Sequence, residues 1–143
     1  MKKLINMIIL LLVSLSISYA QTENKNELIK SSVNKLFEEC KNGNYQKAAV
    51  LIAYSGKDAQ RDLKESYNYK NSKEAAKVKR IAKKIKAFLD ISDKFTFGNI
   101  KIQENEGVTS YTVEVLFISG SQELKTLFTF TGSGDKLLLA DLN

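Results

Sequence analysis

There is no histidine, no proline and no tryptophan in these 143 residues, and one cysteine, Cys40. Each absence excludes some chemistry. Without imidazole there is no histidine-ligated zinc, no nucleophile activated by histidine and no histidine pH switch. One cysteine permits no intramolecular disulfide, so the fold must rest on its hydrophobic core. Without proline, the punctuation of the chain falls to its seven glycines and to asparagine and serine. Arginine is scarce as well: of 22 basic residues only Arg61 and Arg80 are not lysine. The planar, bidentate chemistry that reads phosphates and bases is therefore thin, and nucleic acid is not the expected partner. Nothing in the composition or spacing implies a cofactor or a metal.

What is present begins with residues 1–20. Lys2 and Lys3 precede an apolar stretch from Met7 to Ile17, and Ser18-Tyr19-Ala20 supplies small residues at the two positions a signal peptidase reads before Gln21. This predicts an export signal and a mature domain over residues 21–143. The apolar core is shorter than the roughly 20 residues of a spanning helix, and Gln21 stands where a lipoprotein needs cysteine. The expectation is a periplasmic or secreted chain with no membrane span after signal removal. Loss of Lys2 and Lys3 takes the formal charge from +6 to +4, a mildly basic surface with weak attraction for anionic polymers or membranes.

The first half of the mature chain has helical period. Leu28, Ile29, Val33, Leu36, Phe37 and Cys40 recur at three- and four-residue steps, and Gly43 falls where a left-handed C-cap ends a helix. Cys40 closes that apolar series, which favours a buried core position over a reactive thiol. Asn44 is placed to cap a second helix through Tyr45, Ala48, Ala49, Leu51 and Ile52, and a break follows at Ser55-Gly56-Lys57-Asp58. Residues 59–71 read as a partly helical connector. From Ser72 to Ile91, the residues Ala75, Val78, Ile81, Ala82, Ile85, Phe88 and Leu89 form one stripe. Lys73, Lys77, Arg80, Lys83 and Lys84 lie away from it, as a docking face for an anionic partner or simply as a solvated face.

After Ser92-Asp93 the period becomes two. Phe95 and Phe97 have the opposite parity to Ile100 and Ile102, so a β-bulge at Gly98, reached through positive φ, is expected to return both pairs to one face. Turns at Asn105-Glu106-Gly107, Gly120-Ser121 and Gly132-Ser133-Gly134-Asp135 separate three further strands. Short connections imply an antiparallel meander. The predicted fold is α+β: three N-terminal helices packed on a curved four-stranded antiparallel sheet.

This order of elements, together with Asn42-Gly43-Asn44-Tyr45-Gln46-Lys47-Ala48-Ala49 and the segment Ile52-Ala53-Tyr54-Ser55-Gly56-Lys57-Asp58, resembles the nuclear transport factor 2-like superfamily, the cystatin-like cone. Within it the likeness is to small exported bacterial proteins. The resemblance implies a bent sheet wrapped around a long helix with an apolar pocket between them, used by some members for catalysis, by others for ligands and by others for protein pairing. Tyr54, Phe95, Phe97, Tyr111, Phe128 and Phe130 are the candidate lining of that pocket, unless the same aromatic rings fill it. Thr112, Leu116, Ile118, Thr126 and Leu127 are assigned to the outer sheet face, where a second copy or an envelope protein would pair. Asp90, Asp93, Glu114 and Asp141 are the acids, and Tyr54, Tyr67, Tyr69 and Tyr111 the donors, that an isomerase, dehydratase or hydrolase would draw on; none forms a spacing that chemistry requires. No catalytic residue is assigned. The expected role is a non-enzymatic binding or interaction domain, with a small cone-fold enzyme as the alternative.

Overall fold

The computed structural model describes residues 23–105, 108–133 and 136–143. The expected signal peptide, and parts of the expected turns at Asn105-Glu106-Gly107 and Gly132-Ser133-Gly134-Asp135, lie outside the described residues. Three helices precede four strands: α1 over residues 23–41, α2 at Tyr45–Ala49, α3 at Ser72–Asp90, β1 at Lys94–Asn105, β2 at Val108–Ser119, β3 at Gln122–Ser133 and β4 at Lys136–Leu142. The strands pair as an antiparallel meander in the order β1-β2-β3-β4. This is the α+β architecture expected from the periodicity. No helix among the described residues is long and apolar enough to cross a membrane.

Helix α1 ends as Gly43 predicts. With φ +69° at Gly43, its N–H reaches Cys40 O at 3.2 Å, and Asn44 N–H reaches Glu39 O at 2.9 Å. This bond pair is the Schellman closure, and it needs a residue without a Cβ penalty at positive φ. Asn44 does not cap α2 through its side chain, which donates instead to Glu39 Oε2 at 2.8 Å. α2 is also shorter than the spacing predicts. Ile52 and Ala53 leave the helix as extended chain, Ile52 bridging Leu139 of β4 in parallel and Ala53 bridging Ser66. α3 is capped by Asn71, whose side chain accepts from the N–H groups of Lys73 and Glu74.

Ile29, Val33, Leu36, Phe37 and Cys40 of α1 are buried, as are Val78, Ala82 and Ile85 of α3. They meet the inner face of the sheet, where Tyr111, Val113, Val115 and Phe117 of β2 stand opposite Phe130, Phe128, Thr126 and Leu124 of β3. Thr126 therefore belongs to the inner face and is buried, not to the outer face with Thr112, Leu116, Ile118 and Leu127. Pairing parity decides this, whatever the polarity of the side chain.

The strand β1 carries the expected bulge. Phe97 pairs with Val115 and Ile100 with Val113, so Gly98-Asn99 is one residue in excess, and Phe95, Phe97, Ile100 and Ile102 all share the inner face. Gly98 does not use positive φ. Its requirement is space: a Cβ there would lie 2.6 Å from Glu114 Oε1 and 3.2 Å from Glu114 Cγ. Glu114 lies folded over Gly98 on the outer face and pairs with Lys125 at 2.7 Å. Gly98→Ala is expected to cost about 1 kcal/mol by displacing that carboxylate, and Glu114→Ala in the same chain to restore most of the loss. Urea unfolding of the two single variants and the double variant checks the coupling; additive losses would show that the glycine answers to something other than Glu114.

Candidate functional site

The interior expected to hold a ligand is occupied by aromatic rings. Phe37 of α1 stands 5.1 Å from Phe95, 5.2 Å from Phe128 and 5.7 Å from Phe117, centroid to centroid. Phe128 and Phe130 are at most 1 % exposed, and Tyr111 is buried. Phe97 packs edge-on against Phe95. Phe37, Tyr111, Phe117, Phe128 and Phe130 are core, with Phe95 and Phe97 half-buried against them, and each fully buried large ring contributes roughly 1.5–3 kcal/mol to the fold.

Tyr54 sits elsewhere, in the loop that joins α2 to α3. Its ring meets Tyr67 at 5.5 Å, and the Arg61 guanidinium stacks over it at 4.2 Å. Arg61 holds Glu74 of α3 through both nitrogens, at 3.1 and 3.2 Å, and Glu65 through its Nε at 3.0 Å. Asn68 N–H donates to Glu74 Oε2 at 2.7 Å. The hydrogen bonds from Arg61, with that from Asn68, hold the Glu74 carboxyl below its usual range despite its burial, while Glu74 and Glu65 raise Arg61. The connector is thus fastened to α3 by a bidentate pair.

The acids considered for catalysis are also engaged or peripheral. Asp90 pairs with Lys86 on the exposed end of α3. Asp93 accepts from Gly120 N–H at 2.8 Å and ties the start of β1 to the β2–β3 turn. Asp141 accepts from the Asn143 side chain and pairs with Thr129 in the strand register, on the outer side of the sheet. Tyr69 lies beneath Lys79. Cys40 is fully buried, and burial, reinforced by the charge of Glu39, pushes its thiol up to about 12, where the reactive thiolate is scarce.

An open cleft lies between α3, the extended segment after α2 and the end of β4. It measures about 260 Å³, with Ile52, Ala53, Ile81, Leu139 and Leu142 as its apolar walls. The parallel bridge builds its floor: Ala53 N–H donates to Leu139 O at 2.8 Å and Leu139 N–H to Leu51 O at 2.8 Å. Ala140 is the residue left over where the β3–β4 register shifts, and it also faces the cleft. Tyr67 closes one end, its hydroxyl accepting from Ser55 N–H and donating to Ser55 O. Arg80 and Lys84 stand at the rim.

Four of the five cations read from the sequence, Lys73, Lys77, Arg80 and Lys84, follow steps of four, three and four, and so stack on one side of α3. Lys77 Nζ donates to Ser55 O at 2.9 Å and Lys84 Nζ to Leu142 O at 3.3 Å. Arg80, between them, has no ion-pair or hydrogen-bond partner among the described residues. Lys83 falls outside the stack. A broader groove of about 510 Å³ on the outer sheet face is lined by Asn99, Lys101, Thr112, Glu114, Lys125 and Leu127, where Glu114 and Lys125 offset each other's charge.

No protein-family model and no curated protein matches the chain. Among solved structures it is similar to a chain titled as a five-substitution variant of Rd1NTF2_05, with a TM-score of 0.47 and 12% identity over 83% of this chain and 97% of that one. No function passes from that likeness to this protein.

Because folding lowers the Glu74 pKa, the stability that Glu74 confers is present above the unfolded value, about 4.3, and is lost as pH falls through the folded one. Denaturant midpoints measured from pH 7 down to pH 3 should fall steeply for the parent chain. They should fall less for Glu74→Gln, which starts from a lower stability at pH 7; parallel pH profiles would remove Glu74 from the acid response.

Proposed function

We propose that this chain is an exported binding domain that seats a small amphipathic molecule in the cleft between α3 and β4. The observation that carries this reading is the juxtaposition of an apolar floor with a guanidinium, that of Arg80, which has no ion-pair or hydrogen-bond partner among the described residues. Such a combination of mostly apolar walls and few, convergent polar groups is what small-molecule sites have in common. The cone interior is a poor seat by comparison, because its aromatic rings are packed against one another.

Export is supported by the pattern of residues 1–20, with its basic start, short apolar core and small residues before Gln21. Kinship with small exported bacterial proteins of the cone superfamily is supported by the α1–α2 turn and by the order of three helices and four strands. A binding role is favoured over an enzymatic one by the state of the buried carboxylate: Glu74 accepts from Arg61 and Asn68 and is not among the residues that line the cleft. General acid–base work needs a group free to move a proton.

Native mass spectrometry on the chain recovered from its host's exported fraction tests the proposal. A small-molecule adduct is expected, and it should disappear in Ala140→Trp, whose indole would fill the cleft from β4. An adduct retained at full occupancy in that variant would move the seat elsewhere. A bare chain in both cases would remove the binding reading.

A further inference from the structure

Resting on that reading, we infer that the ligand is an organic anion: a carboxylate head held by Arg80 at the rim, with a short apolar tail along Ile81, Leu139 and Leu142. The argument starts from charge. Like charges three and four residues apart on a helix repel, and Lys73, Lys77, Arg80 and Lys84 accumulate four of them on one side of α3. Lys77 and Lys84 reach backbone carbonyls at opposite ends of the cleft, Ser55 O and Leu142 O, and those contacts draw their ammonium groups toward its mouth. Arg80 lies between the two and is left with its donors free among the described residues. The acid among the lining residues, Asp141, pairs in register with Thr129 on the outer sheet side and accepts from Asn143, and among the described residues no ion pair joins it to Arg80.

Ligand geometry follows from the walls. A guanidinium presents two parallel N–H donors that match a carboxylate, and such a charge-assisted pair is stronger than a neutral hydrogen bond. At interior packing density a cleft of about 260 Å³ accommodates about ten non-hydrogen atoms, the size of a medium-chain fatty acid. The Tyr67 hydroxyl is already committed to Ser55, so Tyr67 presents its ring to the cleft rather than a second polar head. Head at the rim and tail inward is the orientation that leaves no buried group unpaired.

The test is a calorimetric titration of the purified chain with octanoate and with octanol, repeated in Arg80→Gln and in Lys101→Gln. The second variant removes the same charge from β1, away from the cleft. Octanoate is expected to bind at least about tenfold more tightly than octanol, as one charge-assisted pair provides. Arg80→Gln should abolish that preference while leaving octanol affinity unchanged, and Lys101→Gln should leave both as they were. Equal affinities for the two ligands, or equal losses in the two variants, would overturn the anion assignment and leave the cleft as a neutral apolar seat. Failure of both ligands to bind, with the Ile81 and Leu139 methyl resonances unmoved, would overturn the cleft reading itself.

Discussion

One ring joins the two layers of this fold. Phe37 projects from α1 onto Phe95, Phe117 and Phe128, which belong to three different strands, so a single helical side chain fixes the curvature of β1, β2 and β3 against the helix. Phe88 of α3 adds a second helical ring against Phe117, at 5.4 Å. Among the described residues the inner face of the sheet around that cluster is filled by packed rings. The same rings that hold the layers together occupy that face, and the apolar cleft among the described residues lies at the margin, where α3 meets the last strand.

That margin depends on a connection far along the chain. Residues 51–53 run beside β4 because their backbone groups pair with Leu139, and the loop that follows is held against α3 by Arg61 and Glu74. The ion pair is remote from the apolar floor but sets where Ser55 and Tyr67 stand. Ser55 in turn receives both the Tyr67 hydroxyl and the Lys77 ammonium. Loop, helix and strand are therefore parts of one assembly, with the rim of the cleft as its outer boundary.

Much of this was legible from periodicity. Steps of three and four residues locate α1 and α3, alternation locates the strands, and the parity change between Phe97 and Ile100 locates the bulge to the residue. What escaped was non-local. Ile52 continues the helical spacing of Ala48 and Ala49, and only its pairing with Leu139, far along the chain, draws it out of the helix. Thr126, expected on the outer face with Leu127, shares the parity of Phe128 and stands inside, opposite Val115. The reason for glycine at position 98 lies in a side chain on another strand. For the site, the spacing of Arg80 and Lys84 was visible, but the surface they border is assembled from residues 52–55, 67, 81 and 139–142, which no local pattern brings together.

The bulge at Gly98-Asn99 also bears on solubility. β4 is covered along part of its outer edge by residues 51–53, whereas β1, at the other end of the strand order, presents a 12-residue edge carrying Phe95, Phe97, Ile100 and Ile102. A long, flat, apolar edge is a template for another chain. The extra residue throws the outward row of N–H and C=O groups out of step midway, and Lys94 and Lys101 place charge on either side of the break. An incoming strand could match one half of that edge but not both, so the irregularity that aims the aromatic residues inward also makes this edge a poorer template for strand addition than a regular one.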